Sequence, residues 1–177
     1  KRVPASWIRA FVKLQPMDLE GNTVLKVTGG PGAKGRPSHQ IGMGFPEMKG
    51  YEIQADVRLT EARRQLPSIG LSSHRYNLIM IGNTSKLSIE SWPSEKRMAT
   101  SVKFRSDPDV WYRMKMKVET SETEAKIYGK VWPRDKEEPA DWTITATDPH
   151  PNQTGSPGLY YYALTDCYFD NVIVTQK

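Results

Sequence analysis

The fold prediction rests first on the segment Tyr51-Glu52-Ile53-Gln54-Ala55-Asp56-Val57-Arg58-Leu59, in which every odd-numbered residue is apolar and every even-numbered residue is polar. This period of two is typical of a β-strand with one buried face, because successive side chains of a strand point to opposite sides of the sheet. Trp111-Tyr112-Arg113-Met114-Lys115-Met116-Lys117-Val118 alternates in the same way. A helix would spread the methionines and lysines of that segment around its whole circumference and leave no apolar face. Both segments are therefore predicted to be strands.

The same short-period pattern continues on both sides of these two segments. Turn signals such as Glu20-Gly21-Asn22 and Gly82-Asn83 separate the candidate strands, and no ten-residue helical pattern lies between them. Short strands at this spacing favour an all-β fold, a jelly-roll sandwich of two antiparallel sheets. The further predicted strands are residues 7–12, 23–28, 68–72, 76–81, 86–91, 99–104, 124–131, 142–146, 158–163 and 168–175, and residues 29–48 and 132–140 are predicted to be long irregular loops.

The length and the net charge limit the classes of protein to which this chain can belong. The 177 residues are expected to form one domain, residues 1–177, and the start Lys1-Arg2-Val3-Pro4 is typical of a module taken from a larger protein. The net charge is +5, from 25 basic and 20 acidic residues without a basic run longer than two, which does not favour a nucleic-acid partner. No apolar stretch approaches the ~20 residues of a membrane span. The single cysteine, Cys167, cannot form an internal disulfide.

The sequence offers little for catalysis. His39, His74 and His150 lie beside turn residues without metal-ligand spacing, and no nucleophile elbow is present. A retaining glycosidase needs two carboxyl groups ~5 Å apart, and the closely spaced acidic pairs, Glu122/Glu124 and Asp107/Asp109, lie in turn-like sequence. Glu90 is alone on its strand. The chain is therefore predicted not to be an enzyme.

Aromatic and basic residues share the polar faces of several predicted strands, which favours a binding function. Trp92 follows Glu90, Trp111 alternates with Arg113 and Lys115, and Tyr128 alternates with Lys130 and Trp132. Aromatic rings stack on the apolar faces of sugars, and charged side chains bind sugar hydroxyls. Buried core tryptophans and solvated lysines would give the same pattern. The predicted ligand-binding residues are Arg75, Trp92, Trp111, Arg113, Lys130 and Trp132.

Two features near the C-terminus carry further expectations. In Tyr160-Tyr161-Tyr162, alternation predicts that Tyr161 points to the opposite face from its two neighbours. Asp170 lies within an otherwise apolar terminal strand. Its carboxylate is expected either to accept hydrogen bonds from a neighbouring loop or to bind calcium, which prefers hard oxygen ligands.

Seven segments of the sequence together form a familiar set: Asp18–Leu25, Tyr51–Asp56, Trp111–Lys115, Gly129–Pro133, Glu138–Thr143, Gly155–Tyr160 and Tyr168–Val172. This set resembles the concanavalin A-like lectin/glucanase (laminin-G-like) domain at the C-terminus of bacterial proteins with a pyrroloquinoline-quinone-type β-propeller. The resemblance implies a jelly roll of two curved sheets that binds sugars on its concave face or rim loops, and a structural calcium ion near Asp170. The glucanase strand Glu-x-Asp-x-x-Glu is absent.

These observations lead to one principal hypothesis and two alternatives. The chain is expected to be a non-catalytic carbohydrate-binding module of a secreted or periplasmic bacterial protein, and its basic balance favours an anionic glycan over a neutral one. The first alternative is a structural or protein-interaction domain that docks on the parent β-propeller or on another partner. The second is a glycoside hydrolase whose carboxylates come from different strands.

Overall fold

In a computed structural model, the chain forms two antiparallel sheets packed face to face. The structure describes residues 4, 6–8, 14–30, 38–91 and 96–177. None of these residues belongs to a helix long and apolar enough to cross a membrane. The strands are β1 (Trp7–Ile8), β2 (Gln15–Leu19), β3 (Asn22–Val27), β4 (Ser38–Met43), β5 (Tyr51–Leu59), β6 (Ser68–Ser73), β7 (Tyr76–Ile81), β8 (Lys86–Ser91), β9 (Ala99–Lys103), β10 (Trp111–Thr120), β11 (Ala125–Pro133), β12 (Ile144–Asp148), β13 (Gly158–Tyr162) and β14 (Cys167–Gln176).

The first sheet has the strand order β1-β4-β13-β6-β7-β8-β9, and the second has the order β12-β11-β10-β5-β14-β3-β2. Strands distant in sequence are neighbours in both sheets, as the jelly roll requires. The predicted all-β, two-sheet sandwich is therefore confirmed. The predicted strand at residues 51–59 coincides with β5, and the strand predicted from residue 111 is β10.

The alternation places the core between the sheets. In β5 the odd-numbered side chains, such as Ile53 and Val57, are fully buried against the other sheet. In β10 the methionines Met114 and Met116 point inward, while the basic residues between them point outward. Tyr161 is buried and Tyr162 is exposed, so the predicted opposition within the tyrosine run is also confirmed.

A buried polar network joins the two sheets at one end of the sandwich. The Tyr76 hydroxyl of β7 donates to Asp148 Oδ2 of β12 at 2.8 Å, and Arg97 Nη2 donates to the same oxygen at 2.6 Å. Burial raises the pKa of Tyr76 to about 12. Because Asp148 is almost fully buried, these donors supply the hydrogen bonds that a desolvated carboxylate requires.

Two strand predictions need correction. The segment 29–48 was expected to be irregular throughout, but Ser38–Met43 forms β4, which lies between β1 and β13. Gln15–Leu19, for which no strand was predicted, forms the edge strand β2. Both strands contain glycine, proline or consecutive polar residues, so their pairing with neighbouring strands outweighs a weak local pattern. Residues 9–12 of the first predicted strand lie outside the described residues.

Candidate functional site on the first sheet

The outward face of the first sheet carries a row of small and polar side chains across five strands. Strand register aligns Gly42 of β4, Gly158 of β13, Ser72 of β6, Asn77 of β7 and Glu90 of β8. We call these five residues the polar row. Ser72 and Asn77 point away from the core and are nevertheless 1% and 0% exposed. The row therefore lies at the bottom of a depression and not on an open surface.

One hydrogen bond shows that this face is concave. Gln40 of β4 donates from Nε2 to Asn77 Oδ1 of β7 at 3.2 Å, although β13 and β6 lie between those strands. In a flat sheet the two backbones would be about 14 Å apart, more than the two side chains can span. The sheet must therefore curve toward this face. Gly158 and Ser72, the row members of the two intervening strands, are both small.

Asn77 has an incomplete set of hydrogen bonds. Its Oδ1 accepts bonds from Gln40 and from the Ser72 hydroxyl, the latter at 2.6 Å. Its Nδ2 is buried, and no described residue accepts a hydrogen bond from it. A buried unpaired donor costs about 1–3 kcal/mol. The Asn77 amide N–H is therefore a covered donor without an acceptor among the described residues.

A pocket of about 250 Å³ lies at the β1–β4–β13 end of the polar row. Gly42 and Gly158 form part of its floor, and Gln40, Ser156 and Arg75 also line it. Gly158 must be a glycine because an added Cβ would lie 2.5 Å from the carbonyl oxygen of Ile41. At Gly42 the nearest atom to an added Cβ is the Ser156 hydroxyl at 3.4 Å, so a side chain there would project into the pocket without striking the backbone.

An exposed aromatic residue directly precedes a pocket residue in the chain. Phe45 is 76% exposed, and its neighbour Pro46 lines the pocket. Tyr160 is half-buried on the same face, aligned with Gln40 and Gly70. Rings in these positions can stack on a ligand that lies along the face.

Arg75 is the predicted ligand-binding residue that the structure places at this site. Trp92 lies outside the described residues. The remaining four predicted residues, Trp111, Arg113, Lys130 and Trp132, lie together on the outward face of the second sheet.

On that second face the predicted groups make intramolecular contacts. Arg113 donates from Nε and Nη2 to the two carboxylate oxygens of Asp56 at 2.7 and 3.1 Å. Lys130 donates to the Pro139 carbonyl oxygen at 2.7 Å, and its ammonium lies 4.6 Å from the centre of the Trp142 ring.

Of the two predicted tryptophans of the second face, Trp111 is half-buried and Trp132 is buried. The Arg134 guanidinium lies 4.7 Å from the centre of the Trp111 ring, and Trp132 is only 5% exposed. The ligand-binding role of these four residues therefore stays a prediction. Their contacts are those of a structural network.

Asp170, the predicted calcium ligand, accepts hydrogen bonds from Asn22 Nδ2 at 2.7 Å and from the backbone N–H of Asn171 at 2.9 Å. Arg134 Nη1 lies 3.7 Å from the same carboxylate. A calcium ion needs six to eight oxygen ligands, and this carboxylate is surrounded by nitrogen donors and a cation. Within the described parts of the chain, no three His, Cys, Asp or Glu side chains are grouped to hold a metal ion. The Asp170 carboxylate is therefore held by hydrogen bonds from neighbouring residues, and calcium binding stays a prediction.

The sequence-based reasoning missed Gln40, Ser72, Asn77 and Phe45. Asn77 is the one polar residue in the strand Tyr-Asn-Leu-Ile-Met-Ile, which was a usable signal. Gln40 and Phe45 lie in the segment that was expected to be irregular. No local pattern places Gln40 beside Asn77, because the curvature of the sheet brings them together.

No protein-family model matches the chain, and no curated protein matches it. Solved structures do share its fold. Winged bean acidic lectin, solved with methyl-α-D-galactose, superposes with a TM-score of 0.55 at 9% identity, over 98% of this chain and 92% of the lectin. A Caenorhabditis elegans galectin gives a TM-score of 0.51 at 7% identity, over 85% of this chain and 96% of the galectin.

A catalytic domain of glycoside hydrolase family 131 from Coprinopsis cinerea gives a TM-score of 0.52 at 13% identity, over 88% of this chain and 70% of that domain. Identities this low establish similarity of fold alone. The chain therefore has the jelly-roll fold found in these lectins and in this glycoside hydrolase.

Proposed function

We propose that this protein is a non-catalytic carbohydrate-binding module that binds a glycan on the concave face of the first sheet. The observation that carries the proposal is the buried Nδ2 of Asn77, which has no acceptor among the described residues and lies in a row with Ser72 and Glu90. Sugar hydroxyls both donate and accept hydrogen bonds, so amide, hydroxyl and carboxylate groups in one depression suit them. The related fold of a lectin solved with a galactoside adds support.

Aromatic stacking supplies the apolar part of the proposed binding. Phe45 at the pocket rim and Tyr160 on the face can contact the C–H surfaces of sugar rings while the polar row contacts the hydroxyls. Phe45 is mostly exposed, so its ring makes few contacts that stabilise the fold. A role in binding explains an exposed phenylalanine beside a pocket.

Binding without hydrolysis is favoured by the acidic groups of this face. A glycosidase needs a second carboxyl group about 5–9 Å from the first. Among the described outward side chains of β4, β6, β7, β8, β9 and β13, Glu90 is the one carboxylate, and it is paired with Lys96 at 2.6 Å. We therefore expect the protein to release no reducing ends from a polysaccharide that it binds. Release of reducing ends by the purified wild-type protein would contradict the non-catalytic proposal.

The test is a glycan-array screen followed by calorimetric titration of the best ligand. Phe45→Ala should weaken binding by roughly three- to tenfold, the loss of one stacking contact. Gly42→Leu should abolish binding because its side chain occupies the pocket. Ile173→Ala is the control, since Ile173 is an exposed apolar residue on the second sheet. No binding by the wild type to neutral or acidic glycans would refute the proposal, as would full affinity in both Phe45→Ala and Gly42→Leu.

Docking on a protein partner is a second candidate function, supported by a different surface. Ile173 is 50% exposed on the outward face of β14, at the end of the irregularity at residues 170–173. A parent β-propeller, a secreted or periplasmic location and calcium binding stay predictions. Repeating the screen with a chelator addresses calcium, and we expect no loss of affinity because nitrogen donors surround Asp170.

A further inference from the structure

We propose that the concave face selects acidic glycans and that the pocket beside Arg75 receives the carboxylate or sulfate group of one sugar unit. This inference rests on the proposed carbohydrate-binding function and names the chemical class of its ligand. It depends on how Arg75 is held, on what lines the pocket, and on the unpaired charges of the same face.

The hairpin turn between β6 and β7 holds Arg75 at the edge of the pocket. Ser73 pairs with Tyr76, so the turn consists of His74 and Arg75 alone, with φ of 52° and 61°. The His74 ring is buried and stacks on Tyr51 with the ring centres 5.2 Å apart. This buried neighbour fixes the turn and leaves the exposed Arg75 side chain directed toward solvent at the pocket.

The Arg75 guanidinium has no acidic partner in the described part of the chain. Its pocket is lined there by neutral groups, including Gln40, Ser156 and the glycines Gly42 and Gly158, and by no carboxylate. A guanidinium presents a planar set of N–H donors that matches two oxygens of a carboxylate or sulfate. The neighbouring amide and hydroxyl groups can contact the hydroxyls of the same sugar.

Two further basic residues lie at the opposite edge of the same face. Lys86 of β8 and Lys103 of β9 are direct cross-strand partners, both exposed, and neither forms an ion pair with a described residue. Like charges opposite each other are unfavourable unless an anion lies between them. Glu90 is neutralised by Lys96 at 2.6 Å. The face therefore offers positive charge without an equal number of free carboxylates.

The test compares acidic and neutral forms of the same polymer. The protein is titrated with homogalacturonan oligosaccharides and, separately, with their methyl esters. It is likewise titrated with dextran sulfate and with dextran, and the two affinities of each pair are compared. The variant is Arg75→Asn, because asparagine tolerates a positive φ and removes the charge without backbone strain. The matched control is Arg64→Asn, since Arg64 is also exposed, has a φ of 62° and lies in the turn at the other end of β6.

We expect the wild type to bind at least one acidic polymer more tightly than its neutral form. Arg75→Asn should weaken that binding roughly tenfold, the effect of one charged hydrogen bond, and Arg64→Asn should leave it unchanged. Equal weakening in both variants would show attraction by net charge and would overturn the inference. Equal affinity for acidic and neutral polymers would also overturn it while leaving the proposed carbohydrate binding intact. Absence of binding to every glycan of the array would refute both.

Discussion

At the scale of single residues, Asp56 is a buried charge of the second sheet whose carboxylate is paired with neighbouring side chains. Its carboxylate is fully buried on the outward side of β5, and the guanidinium of Arg134, a residue that follows β11, lies 3.9 Å from it. Arg113 binds both of its oxygens, and Asn171 Nδ2 donates to Oδ2 at 2.8 Å. A buried carboxylate is tolerated only when it is paired and hydrogen-bonded. Arg113 therefore stabilises the fold, which explains its position without a ligand.

Replacing Arg113 with alanine should lower the free energy of unfolding by about 3 kcal/mol, because it leaves Asp56 buried without its bidentate partner. Urea unfolding followed by tryptophan fluorescence measures this change. Lys126→Ala is the control, since Lys126 forms a solvent-exposed pair with Glu124 and its loss should have no measurable effect. An Arg113→Ala protein of unchanged stability and reduced glycan affinity would instead support the ligand role predicted from the sequence.

The sequence predicts on which face of its strand Arg113 lies, but it does not identify the residue with which Arg113 pairs. Alternation correctly placed Arg113, Lys115 and Trp111 on the polar side of β10. It could not show that Asp56 lies opposite Arg113 on the neighbouring strand, since that pairing depends on the register between β5 and β10. The same limit applies to Lys130, whose partner Pro139 lies in a loop.

The two-residue turn between β6 and β7 is the element that connects fold stability to the candidate site. His74 packs between Tyr51 and the backbone of Gly155, where an added Cβ on Gly155 would lie 2.6 Å from the His74 Cα. The Tyr51 hydroxyl donates to the Gly155 carbonyl oxygen at 2.7 Å. Burial lowers the pKa of His74 from 6.5 to about 4. The neutral ring is therefore part of the folded turn that holds Arg75.

The lowered pKa of His74 gives the turn a defined pH dependence. Because the folded-state pKa is below the unfolded value, the unfolded chain binds a proton first as the pH falls. The stabilisation from His74 is therefore complete above pH 6.5, decreases between about pH 6.5 and 4, and changes no further below that range. Over this interval we expect wild type to lose roughly 2–3 kcal/mol more unfolding free energy than His74→Asn, measured by urea unfolding.

The comparison between the two proteins isolates this histidine. Acidic groups with lowered pKa values, such as Glu138 beside Lys115 and Lys130, lose stabilising charge on acidification in both proteins. Their contribution cancels in the difference. A wild-type minus His74→Asn difference that stays constant from pH 7 to pH 4 would contradict the assignment.

Strands with one apolar face could be predicted from the sequence. Strands that form because neighbouring strands hydrogen-bond to them were harder to predict. β5 and β10 follow strict alternation, so their existence follows from the sequence. β4 contains Ser38, Gln40 and Gly42 at alternate positions, and the stretches of sequence before and after it are rich in glycine and proline. It is a strand because β1 and β13 pair with it on both sides.

At the scale of the whole molecule, the sandwich could be predicted from the sequence but the binding face could not. Alternation defines two sides of every strand without stating which side of which sheet is concave. The concavity appears in the contact between Gln40 and Asn77 across two intervening strands. For this reason the sequence directed attention to the aromatic and basic residues of the second sheet, while the depression with an unpaired amide lies on the first.

Amide chemical-shift mapping is the measurement that tests the central claim most directly. The ¹⁵N-labelled protein is titrated with the best ligand from the glycan array, and shifts are followed by two-dimensional NMR. We expect the largest changes at Gly42, Gly158, Ser72 and Asn77 of the polar row, and at Phe45 on the pocket rim. Changes that cluster instead at Trp111, Lys115 and Lys130 on the second sheet would contradict a binding site on the concave face of the first.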